Sequence, residues 1–184
     1  MAAATTILSP AQQDFIRAQK MFFVATAPRS DQGHVNLSPK GLDTFRILAP
    51  TQVAYADFTG SGIETIAHIR ENRRLTIMFC SFEGRPNILR LYGTGRAVEP
   101  TDPNFPALQK LFTQSPLRSI ITLDITRVTD SCGYGVPFFT YQGERDQLLN
   151  WCQKKTPEEL AAYQLRKNST SIDGLPGLNS QPAQ

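Results

Sequence analysis

Six β-like segments joined by short connections constrain the fold of this 184-residue chain more than any other feature of its sequence. Connections of hairpin length favour antiparallel pairing, because a parallel crossover needs about a dozen residues or more. A doubly wound sheet would need a helix after nearly every strand, and helical patterns interrupt this series at only two places. We therefore predict a mainly β (α+β) fold, a six-stranded antiparallel sheet closed on itself as a small barrel. The segments span 21–27, 33–39, 52–58, 75–82, 88–98 and 119–128.

The segment 88–98 carries the clearest indication of curvature. Alternation along a strand places Gly93 and Gly95 on the same face as Leu89 and Leu91. Two glycines on one face predict either a sharp bend or the close approach of another element, as in a small barrel.

Helical patterns flank and interrupt the strands. Ser9 and Pro10 begin a first helix, and others are expected over 62–72, from 102 or 103 to about 113, and over 143–154 and 157–167. We predict one domain over 1–167, with the barrel core at about 20–130 and C-terminal helices at 143–167. The segment 168–184 is rich in Ser, Gly, Pro and Asn, and we expect it to be disordered.

Composition excludes several classes of function. A formal charge of +3 is too small to indicate nucleic acid, although clustered positive groups would suit an anionic small molecule. Cys80, Cys132 and Cys152 form no CxxC pair, so neither a zinc site nor a disulfide framework is predicted. The N-terminus lacks a signal-peptide layout, and no apolar run reaches the ~18 residues of a membrane span. We expect a cytoplasmic protein with no membrane partner.

The segment 59–65 is the strongest candidate for a binding site. It leads from a strand through a Gly/Ser turn directly into a helix N-terminus, where free backbone N–H groups and the helix dipole attract phosphate. Gly60 and Gly62 allow a ligand to approach the backbone, and the hydroxyls of Thr59 and Thr65 could donate to it.

A simpler interpretation of the same segment needs no ligand. Ser61 and Glu64 have the spacing of a capping box, which would satisfy the helix start by itself. The Glu64 carboxylate would also compete with an anion at that end of the helix.

Other polar residues lie on predicted strands. Alternation puts Asn36, Ser38 and Lys40 on one face, which must meet either solvent or a ligand. Arg90 and Arg96 share a strand face and either supply cationic contacts or are solvated. The loop 130–139 contains aromatic residues and is either a packed loop or a lid.

Catalytic and metal-binding motifs are absent from the sequence. His34 and His68 have no companion carboxylate or cysteine motif, and we predict no metal site. The sequence contains no Gly-x-Ser-x-Gly elbow, Walker loop, Rossmann fingerprint or His-Glu-x-x-His motif.

Together these segments resemble the pyridoxamine 5′-phosphate oxidase-like, FMN-binding split β-barrel proteins. The resemblance covers roughly residues 15–130 and rests on FFVAT, GHVNLSPKG, YADFTGSGIETIAHIRENRR, TIMFC and ILRLYGTGR in that order. It is strongest to the short, uncharacterised branch with NLSPKG and GSGxET motifs. It implies a six-stranded split β-barrel and a homodimer that holds FMN in clefts at the subunit interface.

The resemblance also implies positions for the cofactor. Residues on the second strand would line the flavin, those of the turn and helix start would contact its phosphate and ribityl chain, and Asn87 or Ile88 with Arg90 would lie near its ring. The predicted cofactor-binding residues are Asn36, Ser38, Lys40, Thr59, Gly60, Ser61, Gly62, Glu64, Thr65, Asn87 and Arg90.

Two departures from the oxidase itself limit the functional prediction. Ile63-Glu64-Thr65 replaces the Ser-Arg-Lys cluster of the oxidase, which removes two positive charges from the expected phosphate site. The Arg and Trp pattern that recognises pyridoxal phosphate is not evident in DSCGYGVPFF, so vitamin B6 oxidation is not predicted.

The predicted function is that of a flavoprotein, an FMN-dependent oxidoreductase acting on a small-molecule substrate or electron donor that the sequence does not identify. Tyr134 and Phe138 are candidates for the substrate side. Two alternatives stay open. One is a non-enzymatic flavin-binding or sensing protein, and the other is a haem-binding or haem-degrading relative with His34 or His68 as the axial ligand.

Overall fold

The computed structural model describes residues 5–113 and 116–179. The elements within these residues are, in chain order, α1 (Pro10–Ala18), β1 (Phe22–Thr26), β2 (Asn36–Lys40), β3 (Phe45–Ala49), β4 (Gln52–Phe58), α2 (Glu64–Asn72), β5 (Arg74–Cys80), β6 (Ile88–Val98), α3 (Phe105–Gln109), β7 (Leu117–Ser131), α4 (Gln147–Gln153) and α5 (Pro157–Asn168).

The strands form one seven-stranded sheet in the order β2-β1-β5-β6-β7-β4-β3. Every neighbouring pair is antiparallel, as the short connections predicted. The strand count of six was wrong because β3 was missed: its residues are all half-buried, so the strand carries no alternation of apolar and polar residues. The described ladder ends at β2 and at β3, and the closed barrel stays a prediction.

Close approach at the two glycines of β6 is confirmed. A Cβ on Gly93 would lie 1.9 Å from the Asp124 carbonyl oxygen, beside a register shift between Tyr92 and Gly93. A Cβ on Gly95 would lie 3.1 Å from side-chain atoms of Ile69 and Leu75. The missing side chain at Gly93 therefore lets β7 pack directly against the β6 backbone, and the missing side chain at Gly95 does the same for α2.

Strand β4 separates two hydrophobic clusters. Val53 and Tyr55 belong to the larger cluster, whereas Ala54, Ala56 and Phe58 belong to the smaller one. Because both faces of β4 are covered, its sequence is a nearly continuous run of apolar residues. The larger cluster also holds Ile66 and Ile69 of α2, which fixes the helix start at the end of β4.

The helices differ from expectation mainly at their ends. The capping boxes that begin α1 at Ser9 and α5 at Thr156 are present. Helices α3 and α4 are shorter than predicted. Residues 168–179 differ from the disorder expected, because Asn168 is fully buried and its carbonyl accepts a hydrogen bond from Leu178 N. Residues 180–184 lie outside the described part of the chain.

Candidate functional site

A cavity of about 390 Å³ lies where β2, the end of β4 and the start of α2 meet. We call it the cleft. It collects predicted residues from both sequence motifs, together with residues that the sequence did not reveal. Its lining includes Asn36, Ser38, Lys40, Gly60, Gly62, Glu64 and Thr65 from the prediction, and Thr44, Ala56, Phe58, Arg118 and Leu148 in addition.

The polar face of β2 is confirmed, and hydrogen bonds organise it. Asn36 Nδ2 donates to Thr65 Oγ1 at 3.0 Å and to Thr26 Oγ1 at 3.3 Å, and Asn36 Oδ1 accepts from Ser38 Oγ at 3.0 Å. Asn36 is thus fully engaged within the protein. Its role is to hold the hydroxyls of Ser38 and Thr65 at the cleft surface.

The same network extends inward to a buried histidine. His68 Nδ1 lies 3.0 Å from Thr26 Oγ1, and the side chain has no exposed surface. Burial lowers the pKa of His68 below its ordinary value and outweighs the opposing effects of Asp173 and Glu64. A neutral, enclosed imidazole supports the polar floor of the cleft and cannot reach a ligand without displacement.

The start of α2 differs from the capping box suggested by the sequence. The N-cap residue is Ile63, and its side chain makes no cap hydrogen bond. Glu64 Oε2 instead accepts from the Ile63 N–H at 3.0 Å, so a carboxylate of the chain already occupies the anion-favouring end of the helix. Ser61 is exposed and does not line the cleft.

Thr59 also points away from the cleft. It is fully buried, and its hydroxyl accepts a hydrogen bond of 2.7 Å from Gln164 Nε2 of α5. The Gly60 carbonyl accepts from Asn168 Nδ2 at 2.9 Å. The turn is therefore held from the C-terminal side of the protein.

A buried ion pair lies beside the cleft and was not predicted. Arg118 Nε donates to Asp57 Oδ2 at 2.7 Å, and Ser119 Oγ donates to the same oxygen at 2.9 Å. Lys40 Nζ lies 3.6 Å from Asp57 Oδ1. The sequence does contain one indication of this ion pair: Asp57 lies inside the apolar strand VAYADF, and a charge in a buried strand requires a partner.

This cluster keeps Asp57 ionised. Burial raises the pKa of Asp57, but the charges of Arg118 and Lys40 and the hydrogen bonds from Arg118 and Ser119 outweigh burial and leave the pKa below its ordinary value. Arg118 also donates from Nη1 to the Gly60 carbonyl at 3.1 Å. A guanidinium has five N–H groups. The described hydrogen bonds of Arg118 use three of them, one on each nitrogen.

Residues 168–178 form a segment that covers the turn and the helix start, which we call the C-terminal strap. Its Ile172 N–H donates to Glu64 Oε1 at 3.4 Å. His34 donates its backbone N–H to Asp173 Oδ2 at 2.8 Å, and its Nδ1 lies 2.7 Å from Asp173 Oδ1. These hydrogen bonds from His34 lower the pKa of Asp173.

The remaining predicted residues lie elsewhere in the chain. Asn87 and Tyr134 line a separate cavity, and Arg90 Nη1 donates to Ser131 Oγ at 3.0 Å. Tyr134 and Phe138 are 82% and 80% exposed. The described residues contain no group of three or more His, Cys, Asp or Glu side chains arranged to hold a metal.

Comparison with known proteins decides the family. The family described as pyridoxamine 5′-phosphate oxidase matches residues 8–132. The chain belongs to the pyridoxamine 5′-phosphate oxidase family. It is 43% identical, over an alignment 192 positions long, to the pyridoxamine 5′-phosphate oxidase family protein ustO of Aspergillus flavus, and the alignment covers 94% of this chain and 76% of that protein.

Solved structures show the same fold at low sequence identity. HupZ of Group A Streptococcus has a TM-score of 0.57 at 20% identity, covering 68% of this chain and 95% of HupZ. An FMN-binding pyridoxamine 5′-phosphate oxidase-related protein of Nostoc punctiforme has a TM-score of 0.50 at 13% identity, covering 68% and 85% of the two chains. Among the described residues of this family member, no helix is long and apolar enough to cross a membrane.

Proposed function

We propose that this family member binds FMN in the cleft and acts as an FMN-dependent oxidoreductase. The observation that carries the proposal is the convergence of hydroxyl groups and two cationic side chains on one cavity at a strand–turn–helix junction. The Nostoc relative is described as FMN-binding, and membership of the family supports a flavin in this chain as well.

The donor set fits a flavin nucleotide. Thr65 presents a hydroxyl that accepts from Asn36 and keeps a proton to donate, whereas the Ser38 hydroxyl donates its proton to Asn36 and can accept from a ligand. Lys40 and Arg118 line the same cavity. Because the Glu64 carboxylate already accepts from the N–H of the N-cap residue Ile63, the phosphate is best accommodated near Lys40 and Arg118. With two cations against the single carboxylate of Asp57, this cluster keeps a net positive charge and restores part of the charge that the sequence motif lacks.

Bound FMN would supply hydride or electron transfer, so no nucleophilic side chain is required. The chain itself would bind and orient the cofactor. The Asn36 network fixes the hydroxyl positions, and the Asp57 carboxylate holds the Arg118 guanidinium at the cleft wall. These groups are positioned before binding, which lowers the entropic cost of binding.

We further propose a homodimer with the cofactor at the subunit interface. The outer sheet face aligns Pro39, Phe23, Met78 and Arg90 across β2, β1, β5 and β6. Leu37 on this face is 62% exposed and Val35, two residues earlier in the chain, is 75% exposed, so two large apolar side chains lie open close together. In such a dimer, Asn87 and Arg90 would contact the cofactor of the partner, which accounts for their absence from the cleft of their own chain.

The test begins with the absorbance spectrum and fluorescence titration of the purified protein with FMN, FAD and haemin. We expect a stoichiometric, FMN-selective yellow complex. Thr65→Ala should weaken FMN binding by roughly 1–3 kcal/mol because it removes a cleft hydroxyl. Ser61→Ala is the matched control, since Ser61 is exposed and outside the cleft.

Three outcomes would revise the proposal. Equal effects of the two variants would place the cofactor elsewhere. Binding of FMN without any oxidation of NADH or NADPH and without reduction of the bound flavin would favour the flavin-binding or sensing alternative. A Soret band with haemin and no flavin uptake would favour the haem alternative.

A further inference from the structure

A second cavity of about 490 Å³ adjoins the cleft, and we call it the recess. It lies between the end of β2 and the segment that leads from β7 into α4. The two cavities share part of their lining. The residues that line both are Pro39, Lys40, Gly41, Leu42 and Leu148.

The body of the recess is apolar. Met21, Leu42, Tyr141 and Leu148 contribute large side chains to its lining. Tyr141 is 44% exposed and Leu148 is 36% exposed, so the fold leaves apolar surface open beside a polar cleft. A concave apolar wall next to a few fixed polar groups is typical of a small-molecule site.

The rim of the recess is positively charged. Both carboxylate oxygens of Glu144 are engaged within the protein: Oε2 accepts from the Leu42 N–H at 3.1 Å, and Oε1 accepts from the Tyr141 hydroxyl at 3.0 Å. Lys20 and Arg145 line the same cavity, and the part of the chain that the structure describes records no ion pair for either. Lys20 Nζ lies 5.5 Å from the centroid of the Tyr141 ring.

The lining that the two cavities share includes a residue with an uncommon backbone conformation. Leu42, which lines both cavities, has φ 63°, in the left-handed region that bulky residues rarely adopt. The bond from Leu42 N–H to Glu144 stabilises this turn. Such strain persists where the surrounding structure holds it, frequently at binding sites.

We propose that the recess binds the substrate of the oxidoreductase, and that this substrate has an apolar, ring-bearing body and a carboxylate. The body would lie against Leu148 and Tyr141, and the carboxylate would face Lys20 and Arg145. Because the two cavities share lining residues, such a substrate would lie beside the cleft in which we propose that the cofactor binds. The assignment as a substrate rests on the proposed function, whereas binding of the acid to the recess can be measured without any flavin.

The experiment is titration calorimetry of the flavin-free protein with 1-naphthylacetate and with its neutral isostere 1-naphthylacetamide. The acid should bind about tenfold more tightly than the amide, a ratio that corresponds to one favourable charge interaction. Leu148→Gln should weaken both ligands about fivefold or more, because apolar contact is lost. Arg145→Ala should weaken the acid and leave the amide unchanged.

Leu165→Gln is the matched control, because Leu165 is 64% exposed on α5 and lies outside the recess. Equal affinity for acid and amide, or equal effects of Leu148→Gln and Leu165→Gln, would overturn the proposal. Dissociation of a dimer by Leu148→Gln in sedimentation velocity would also overturn it, since the recess would then be a subunit contact. Binding of naphthylacetate by a protein that takes up no FMN would refute the cofactor and substrate assignments and retain the recess as an acid-binding site.

Discussion

Asp57 and Arg118 connect the stability of the protein with the chemistry of the cleft. Their side chains are only 4% and 6% exposed, and Arg118 also lines the cleft. Removing one partner of a buried pair leaves an uncompensated charge, which is more costly than loss of a surface ion pair. The pair therefore has a structural effect that can be measured without any ligand.

Asp57→Asn should lower the free energy of unfolding at neutral pH by roughly 3–5 kcal/mol. The folded-state pKa of Asp57 lies below its unfolded value, so its contribution is fully present above the unfolded pKa and is lost as the pH falls through the folded pKa. Urea denaturation from pH 7 to pH 3 should show a larger acid-dependent loss in the wild type than in the variant, because other carboxylates with a lowered pKa, such as Asp173, lose their contribution in both proteins. Asp14→Asn breaks an exposed pair with Arg17 and should cost less than about 1 kcal/mol. Equal losses in the two variants would contradict the argument.

Glu64→Gln tests the electrostatics at the helix start. Its carboxylate lines the cleft and accepts from Ile63 N–H, so it opposes a phosphate while it satisfies the helix. The amide keeps an acceptor and removes the charge, and FMN should bind more tightly by about 0.3–1 kcal/mol. Riboflavin, which has no phosphate, is the control ligand in the same fluorescence titration. An equal change for both ligands would show that the phosphate lies far from Glu64.

At the scale of elements, the C-terminal strap packs so closely at Gly177 that no side chain fits there. A Cβ on Gly177 would lie 2.1 Å from the Asn168 carbonyl oxygen and 2.7 Å from Ile63 Cγ1. The strap is therefore seated against the N-cap residue of α2 by close backbone packing.

Gly177→Ala should release the strap and destabilise the protein by about 1–3 kcal/mol through overpacking. Hydrogen exchange followed by mass spectrometry should show faster exchange over 168–178 and at the start of α2, with the central strands unchanged. Gly135→Ala is the control, since a Cβ there would meet no atom within 4 Å. Unchanged exchange in Gly177→Ala would mean that the strap is not held in this way.

The strands and turns also show how far sequence reasoning reaches. The shared face of Asn36, Ser38 and Lys40 was predictable because alternation is a property of any strand. The outward position of Ser61 and the burial of Thr59 were not, because residues far along the chain set the path of the turn. Arg118 was missed for a related reason: it meets Asp57 through the pairing of β7 with β4. The family motifs identified the region of the site, and tertiary contacts determined which of its side chains line the cleft.

At the scale of the whole molecule, the proposed homodimer would use the outer face of β2 and its neighbours as its interface. Leu37→Asp puts a charge in the proposed interface and should shift the protein from dimer to monomer in sedimentation velocity, because an unpaired charge is costly to bury. FMN affinity should fall with it if the partner completes the site. Leu165→Asp changes an exposed leucine on α5 and should leave the assembly intact. A wild-type monomer that binds FMN would rule out the interface.

The strap also has a consequence for biosynthesis. The carbonyl of Gly60 is bonded by Asn168, which follows it by 108 residues in the chain. During translation the β-strand and turn that form one side of the cleft emerge long before the segment that secures them. A nascent chain would therefore offer only an incomplete pocket until the strap has been synthesised, and capture of a cofactor would be a late event. Flavin supply would then act on the finished protein and have little influence on its early folding.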